Sequence, residues 1–124
     1  MKLRLAVLPG DLAVCRLDSD AEWPSWTNGS FVSVTRTSDE LSVICDDAAV
    51  PSDVRAERGW RAMRVQGPIP FETTGVAAAL VSPLAAASIS VFLIATFDTD
   101  YLLVKEDVLA GAIEVLRTAG HEVA

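Results

Sequence analysis

The chain has 124 residues, of which 51% are apolar, ten are basic and seventeen acidic, giving a formal charge of −7. That length makes one compact domain or two very small ones, and the apolar share is ample for a core. The acidic balance and the lack of any Lys/Arg cluster argue against nucleic acid and anionic membrane as partners, because both are bound through concentrated positive charge.

Residues 3–8 and 12–17 alternate apolar and polar around Pro9-Gly10-Asp11, which predicts two strand segments joined by a tight turn or bulge. The apolar part of the N-terminus is too short for a signal peptide. Residues 18–29 are polar and turn-rich, so a loop with at most one helical turn is expected. Trp23 and Trp26 within it are expected to cap the end of the core rather than to stack on a ligand. Phe31–Arg36 and Leu41–Cys45 flank a polar tetrapeptide and read as a hairpin. The acidic stretch 46–59 reads as a loop leading into a short helix over Ser52–Arg58, and Trp60–Gln66 as a further strand ended by Gly67-Pro68-Ile69-Pro70. Cys15 and Cys45 sit among apolar strand residues and read as small core side chains in a reducing compartment. With one histidine they make no zinc motif, and no metal or other cofactor is expected.

From Thr73 to Phe97 no residue is charged, a run long enough to span a bilayer. Pro83, the serines at 82, 88 and 90, and a change to β-rich composition near Ser88 resolve it instead into a buried helix and a buried strand, so the protein is read as soluble and cytoplasmic. Thr73 or Thr74 is expected to cap the helix, and Val76, Leu80, Leu84 and Ala87 recur every fourth residue. Pro83 removes the bond to the Ala79 carbonyl and predicts a kink. Val91–Ala95 is continuously apolar, as a central strand covered on both faces would be. After a turn at Asp98–Asp100, Tyr101–Lys105 pairs back. Asp107 opens the last helix, whose apolar face is Val108, Leu109, Ala112, Ile113 and Leu116, and Gly120 closes it. His121 falls where the helix dipole favours positive charge and reads as a helix-end residue, not a catalytic one.

Sliding the sequence on itself by 61 positions aligns Phe31 with Phe92, Thr35 with Thr96, Asp39 with Asp100, Leu41 with Leu102, Val43 with Val104 and Gly59 with Gly120. The repeat predicts an α+β protein of two tandem ferredoxin-like units, βαββα with a closing strand, each with an antiparallel sheet and helices on one face. The expected boundary divides residues 1–60, a degenerate unit whose first helix is reduced to the Trp-containing loop, from residues 61–124.

The segments Phe71-Glu72-Thr73-Thr74-Gly75-Val76 and Ile94 through Val104, with Asp39 through Cys45 and Cys15-Arg16-Leu17, resemble the small bacterial proteins of two tandem ACT domains. That group is similar to the CASTOR-type arginine sensors. The resemblance implies a regulatory module that binds an amino acid at an interface between ACT domains. Carried over by motif, the ligand-binding positions are Thr74, Gly75 and Val76; Thr96, Phe97 and Asp100; and Ser42 with Val43. A homodimer is the expected assembly.

The chemistry is compatible with an amino-acid ligand. A helix start offers backbone N–H groups to a carboxylate, Gly75 allows close approach, Asp98 or Asp100 can pair with the ammonium, and Phe97 can cover the aliphatic part. The same residues are also explained as a helix cap and a hairpin turn. No nucleophile, triad or paired-carboxylate motif stands out, so no catalytic residue is assigned and an enzyme is not expected. The alternative to a sensor is an ACT-fold interaction module without a ligand.

Overall fold

The computed structural model describes residues 1–124. In chain order it contains β1 (Arg4–Val7), β2 (Leu12–Leu17), β3 (Ser33–Arg36), β4 (Leu41–Asp46), a 3-10 turn (Asp47–Ala49), β5 (Ala56–Val65), α1 (Val76–Ala86), β6 (Phe92–Ala95), β7 (Asp100–Lys105), a second 3-10 turn (Glu106–Val108), α2 (Leu109–Thr118) and β8 (Glu122–Val123). The chain forms two compact units: Gly10–Trp60, and Met1–Pro9 together with Arg61–Ala124. Residues 1–9 thus fall in the unit that holds the second half of the chain.

In the 10–60 unit, β3 pairs with β4, β4 with β2, and β2 with the first half of β5, all antiparallel. Ala13, Cys15, Leu41, Val43 and Cys45 share one face and are 2% exposed or less. Neither helix of a ferredoxin-like unit is present. Loop residues Ala21, Trp26, Val50 and Val54 pack over the buried face instead. Trp26 therefore does cover the core, whereas Trp23 is 64% exposed and does not.

The short helix expected at Ser52–Arg58 is absent. Ala56 and Glu57 instead join the sheet opposite Cys15 and Val14. Arg58 reaches back to the loop, donating to Asp47 Oδ1 at 2.8 Å and to the Val50 and Pro51 carbonyls at 3.1 and 3.0 Å. These bonds satisfy carbonyls that a helix would otherwise have occupied, so the loop is held without one.

In the other unit β6 pairs with β7, β7 with β5, β5 with β1 and β1 with β8. The β1–β8 pair is parallel, and β1–β5 and β6–β7 are antiparallel. Leu5, Met63, Val65, Leu102, Val104 and Val123 point from the strands to one face. Val76, Leu80 and Leu84 of α1, with Ala112 and Leu116 of α2, close over them. The four-residue spacing on α1 and the apolar face of α2 thus form the helical layer. Burial of these apolar faces, at about 25 cal/mol per Å² removed from water, is the main force holding helices to sheet.

Three details depart from expectation. Helix α1 starts after Gly75, at φ 85°, with no side-chain cap, so neither Thr73 nor Thr74 caps it. The left-handed turn at glycine brings the chain into the helix without a hydroxyl over its first turn. Strand β6 is not a central strand: it pairs on one side with β7, and Phe92 and Leu93 are 36% and 38% exposed. Finally, His121 is buried at 5% exposure, where it donates from Nε2 to the Ala79 carbonyl at 3.0 Å and accepts at Nδ1 from the Leu3 N–H at 3.1 Å. Because Nδ1 accepts a backbone N–H, the proton of the neutral ring sits on Nε2.

The two halves repeat each other at 59 residues, not 61. β3 begins at 33 and β6 at 92, β4 at 41 and β7 at 100, and the two 3-10 turns at 47 and 106. Thr37 is therefore the counterpart of Thr96. Both accept a backbone N–H at Oγ1 from the residue three positions on, Glu40 or Thr99.

Candidate functional site

The charge-free run ends in the turn joining β6 to β7, and this turn is the floor of the site. Ala95 pairs with Asp100, leaving Thr96-Phe97-Asp98-Thr99 as the loop. Its geometry is fixed from inside: the Thr96 N–H donates to the Thr99 carbonyl at 2.9 Å, and Thr96 Oγ1 donates to the same carbonyl at 2.8 Å. Thr99 is 3% exposed and its hydroxyl donates to the Val65 carbonyl at 2.6 Å, which anchors the turn to the end of β5.

A second strut comes from the chain leaving β5. The Ile69 N–H donates to the Asp98 carbonyl at 2.7 Å. A Cβ on Gly67 would lie 3.0 Å from that carbonyl and 3.1 Å from the Thr99 Cβ, so glycine is needed here for space. Beyond it, the Thr73 N–H bonds the Pro70 carbonyl at 3.0 Å, and the chain enters α1 through Gly75.

Between these segments lies a cleft of about 200 Å³. One wall is Ile69, Pro70, Phe71, Thr73 and Val76; the other is residues 95–100. Phe71 and Phe97 stand at its mouth, 73% and 78% exposed, with ring centroids 4.8 Å apart and planes at 89°. The Thr96 and Thr99 hydroxyls are engaged within the protein, which leaves the Asp98 and Asp100 carboxylates as the charged groups facing the cleft. Neither has an ion-pair partner, and no basic side chain lines the space.

Of the positions singled out in the sequence, Val76, Thr96, Phe97, Asp98 and Asp100 line this cleft, whereas Thr74 and Gly75 do not. Gly75 acts instead as the left-handed entry to α1. Ser42 and Val43 lie on β4 of the 10–60 unit, and Val43 is fully buried in that unit's core. Phe71, Thr73 and Thr99 were not singled out. Phe71 and Thr73 belong to the quoted segment Phe71–Val76, of which only Thr74, Gly75 and Val76 were carried over as ligand positions, so the motif itself was the available signal.

A larger hollow of about 320 Å³ lies on the sheet of the same unit, over Arg4, Leu5, Arg64 and Gln66. Its carboxylate, Glu122, already bonds Lys2 at 2.9 Å and Arg4 at 3.0 Å. The Lys2 ammonium first, then Arg4, holds that carboxyl below the usual carboxylate range. Volume favours this hollow, but its carboxylate is already neutralised, so the smaller cleft is the better candidate. The buried thiols form no alternative site. Both are free, and burial foremost, with Cys45 next, pushes Cys15 up to about 11.

Comparison with known proteins gives a consistent assignment. The ACT-domain family model matches residues 55–118, and a second model, of an N-terminal domain, matches residues 10–53. A Bos taurus protein named cytosolic arginine sensor for mTORC1 subunit 1 is 33% identical over 102 residues, covering 76% of this chain and 31% of that protein. The Homo sapiens counterpart is 46% identical over 59 residues, 47% of this chain and 18% of its own length. The chain therefore spans less than a third of these curated relatives. A crystal structure of an Agrobacterium tumefaciens protein is 38% identical, with a TM-score of 0.95 over all of this chain and 93% of that one. The regulatory subunit of aspartate kinase from Thermus thermophilus shares the fold alone, at 10% identity and TM-score 0.64, over 94% of this chain and 97% of its own.

Proposed function

The chain belongs to the ACT-domain family, and from that premise we propose that it is an amino-acid-binding regulatory protein rather than an enzyme, with its ligand in the cleft between residues 69–76 and 95–100. The observation that carries this reading is the pair of carboxylates without ion-pair partners, Asp98 and Asp100, in the lining of a cleft of about 200 Å³ that mixes apolar side chains with three threonines. A carboxylate in that setting gains a charge-assisted bond from an α-ammonium. Drug-sized sites run to roughly 300–1,000 Å³, so a space of this size suits a single small molecule. The relatives named as an arginine sensor support the same class of role.

Thr96, Phe97 and Val76 frame the bound ligand in this reading, and the unbonded N–H groups at the start of α1, beginning with Val76, take its carboxylate. Ser42 is half-buried on β4 and is the residue of its pair that can still offer a side chain to an interface. The protein acts as a homodimer in solution, and the apolar edge strand β6 supports pairing through the sheet. The observation favouring a ligand-free interaction module is the exposure of Phe71 and Phe97, which a docking partner would cover as well as a ligand would.

A thermal-shift screen against the protein amino acids separates the two. A ligand at about 100 times its Kd stabilises the folded state by about 2.7 kcal/mol, which is readily seen. One stabilising amino acid whose effect is lost in Asp100→Ala is the expected result. No stabilisation by any of them favours the interaction module.

A further inference from the structure

Strands β1, β5 and β8 carry a second feature on the sheet face away from the helices. Leu5, Val65 and Val123 point into the helix-covered core, so alternation turns their neighbours the other way, and all of those neighbours are exposed. The strand registers set Gln66, Arg4 and Glu122 in one row across this face, and Arg64, Ala6 and Ala124 in the next. All six belong to the same compact unit. In the second row two methyl groups stand where the first row has long side chains. The missing bulk is the hollow of about 320 Å³.

The charges around it are unequally matched. Glu122 is the one acidic side chain in the lining, and Lys2 and the Arg4 Nε already hold it at 2.9 and 3.0 Å. Arg64, diagonal to Arg4 on the neighbouring strand, has no ion-pair partner. Even with the terminal carboxylate of Ala124 counted, three cations face two anions, on a chain whose formal charge is −7. The lack of a free acid, which sets the hollow aside as an ammonium site, suits it to an anion. A guanidinium is a planar fork that meets a carboxylate through two parallel bonds. Gln66, two residues along the same strand and on the same face, adds an amide donor. The methyl groups of Ala6 and Ala124 offer a carbon chain a surface to cover, and offer inorganic phosphate nothing. We propose that this hollow binds a short-chain organic carboxylate, its head on Arg64 and Gln66 and its carbon chain over Ala6 and Ala124. The site shares no residue with the cleft at 69–76 and 95–100 and does not depend on the reading of that cleft.

The test is NMR amide-shift mapping of the intact ¹⁵N-labelled chain with acetate, butyrate and inorganic phosphate, at about 0.15 M salt so that diffuse attraction is screened. The proposal expects saturable shifts at Ala6, Arg64, Gln66 and Ala124, with butyrate binding about threefold or more tighter than acetate or phosphate. It also expects Arg64→Gln to keep the melting temperature of the wild type and to weaken butyrate by about fivefold or more. Phosphate bound at these residues as tightly as butyrate overturns the assignment of an organic carboxylate, and so does butyrate bound no tighter than acetate. Saturable shifts that Arg64→Gln leaves unaltered, or that map to other residues, overturn the site. The absence of saturable shifts with all three anions overturns it as well.

Discussion

His121 Nε2 lies 3.0 Å from the Ala79 carbonyl, the acceptor that Pro83 leaves without its helical donor. In an α-helix the N–H of residue 83 would bond the carbonyl of residue 79, and proline has none. A ring 42 positions away supplies the missing proton and, through Nδ1, also receives the Leu3 N–H. Helix α1 thus runs through Pro83 to Ala86 with that carbonyl satisfied, and the histidine ties α1, β1 and the end of α2 together.

Replacing His121 by alanine leaves two buried backbone groups without partners and opens a cavity, so a loss of about 2–4 kcal/mol is expected in urea denaturation. In a Pro83→Ala background the regained N–H can serve the Ala79 carbonyl. The same histidine substitution should then cost about 1 kcal/mol less, a coupling that a double-mutant cycle measures.

Gly67→Ala places a methyl 3.0 Å from the Asp98 carbonyl and 3.1 Å from the Thr99 Cβ. The turn must move, and overpacking of this kind costs about 1–3 kcal/mol. Thr99→Val keeps the shape but removes the bond to the Val65 carbonyl, at about 1–2 kcal/mol. Both variants should also weaken ligand binding, because both displace the Asp98–Asp100 segment. Denaturation and calorimetry on each variant check this.

Burial raises the Cys15 thiol to about 11, and Cys45 is also raised, chiefly by burial. Both thiols are thus protonated at neutral pH. They should react slowly with a thiol reagent at pH 8 when the chain is folded and promptly in denaturant. The folded state holds the Cys15 proton more tightly than the unfolded chain, so its contribution is complete below the ordinary thiol value near 9 and is lost as pH rises toward 11. A Cys15→Ala variant should show a shallower loss of stability across that window.

Strand β6 is apolar, exposed and paired on one side. If the chain dimerises through this edge, Leu93→Lys should yield a monomer by light scattering while the melting temperature changes little. A charge on an edge strand is tolerated by the fold but opposes strand pairing between copies.

How much of this was legible in the sequence can be traced residue by residue. The strands over 12–17, 41–46 and 100–105 and the face of α2 were written in apolar periodicity, and the turn residues 96–100 in their polarity. The repeat was visible too, but in a register two residues off. A slip of two preserves which face each strand residue occupies, and it pairs Leu41 and Val43 with Leu102 and Val104, a closer chemical match than the Asp100 and Leu102 that a shift of 59 gives. Hydrogen bonds in the turns, not hydrophobicity, fix the true register. The apolar run of β6 looked like a central strand because composition reports what is apolar and not what lies beside it. The roles of Gly67, Thr99 and His121 depend on partners 31, 34 and 42 residues distant, which no local pattern encodes.

The central claim is that an amino acid binds in the cleft bounded by residues 69–76 and 95–100. Amide chemical-shift mapping by NMR on the ¹⁵N-labelled wild-type chain, titrated with the amino acid that stabilises it most, tests this directly. The claim predicts saturable shifts concentrated at Phe71, Thr73 and Val76 and at Thr96 through Asp100. Saturable shifts confined to β1, β8 and Arg64, or no shifts at all, would contradict it.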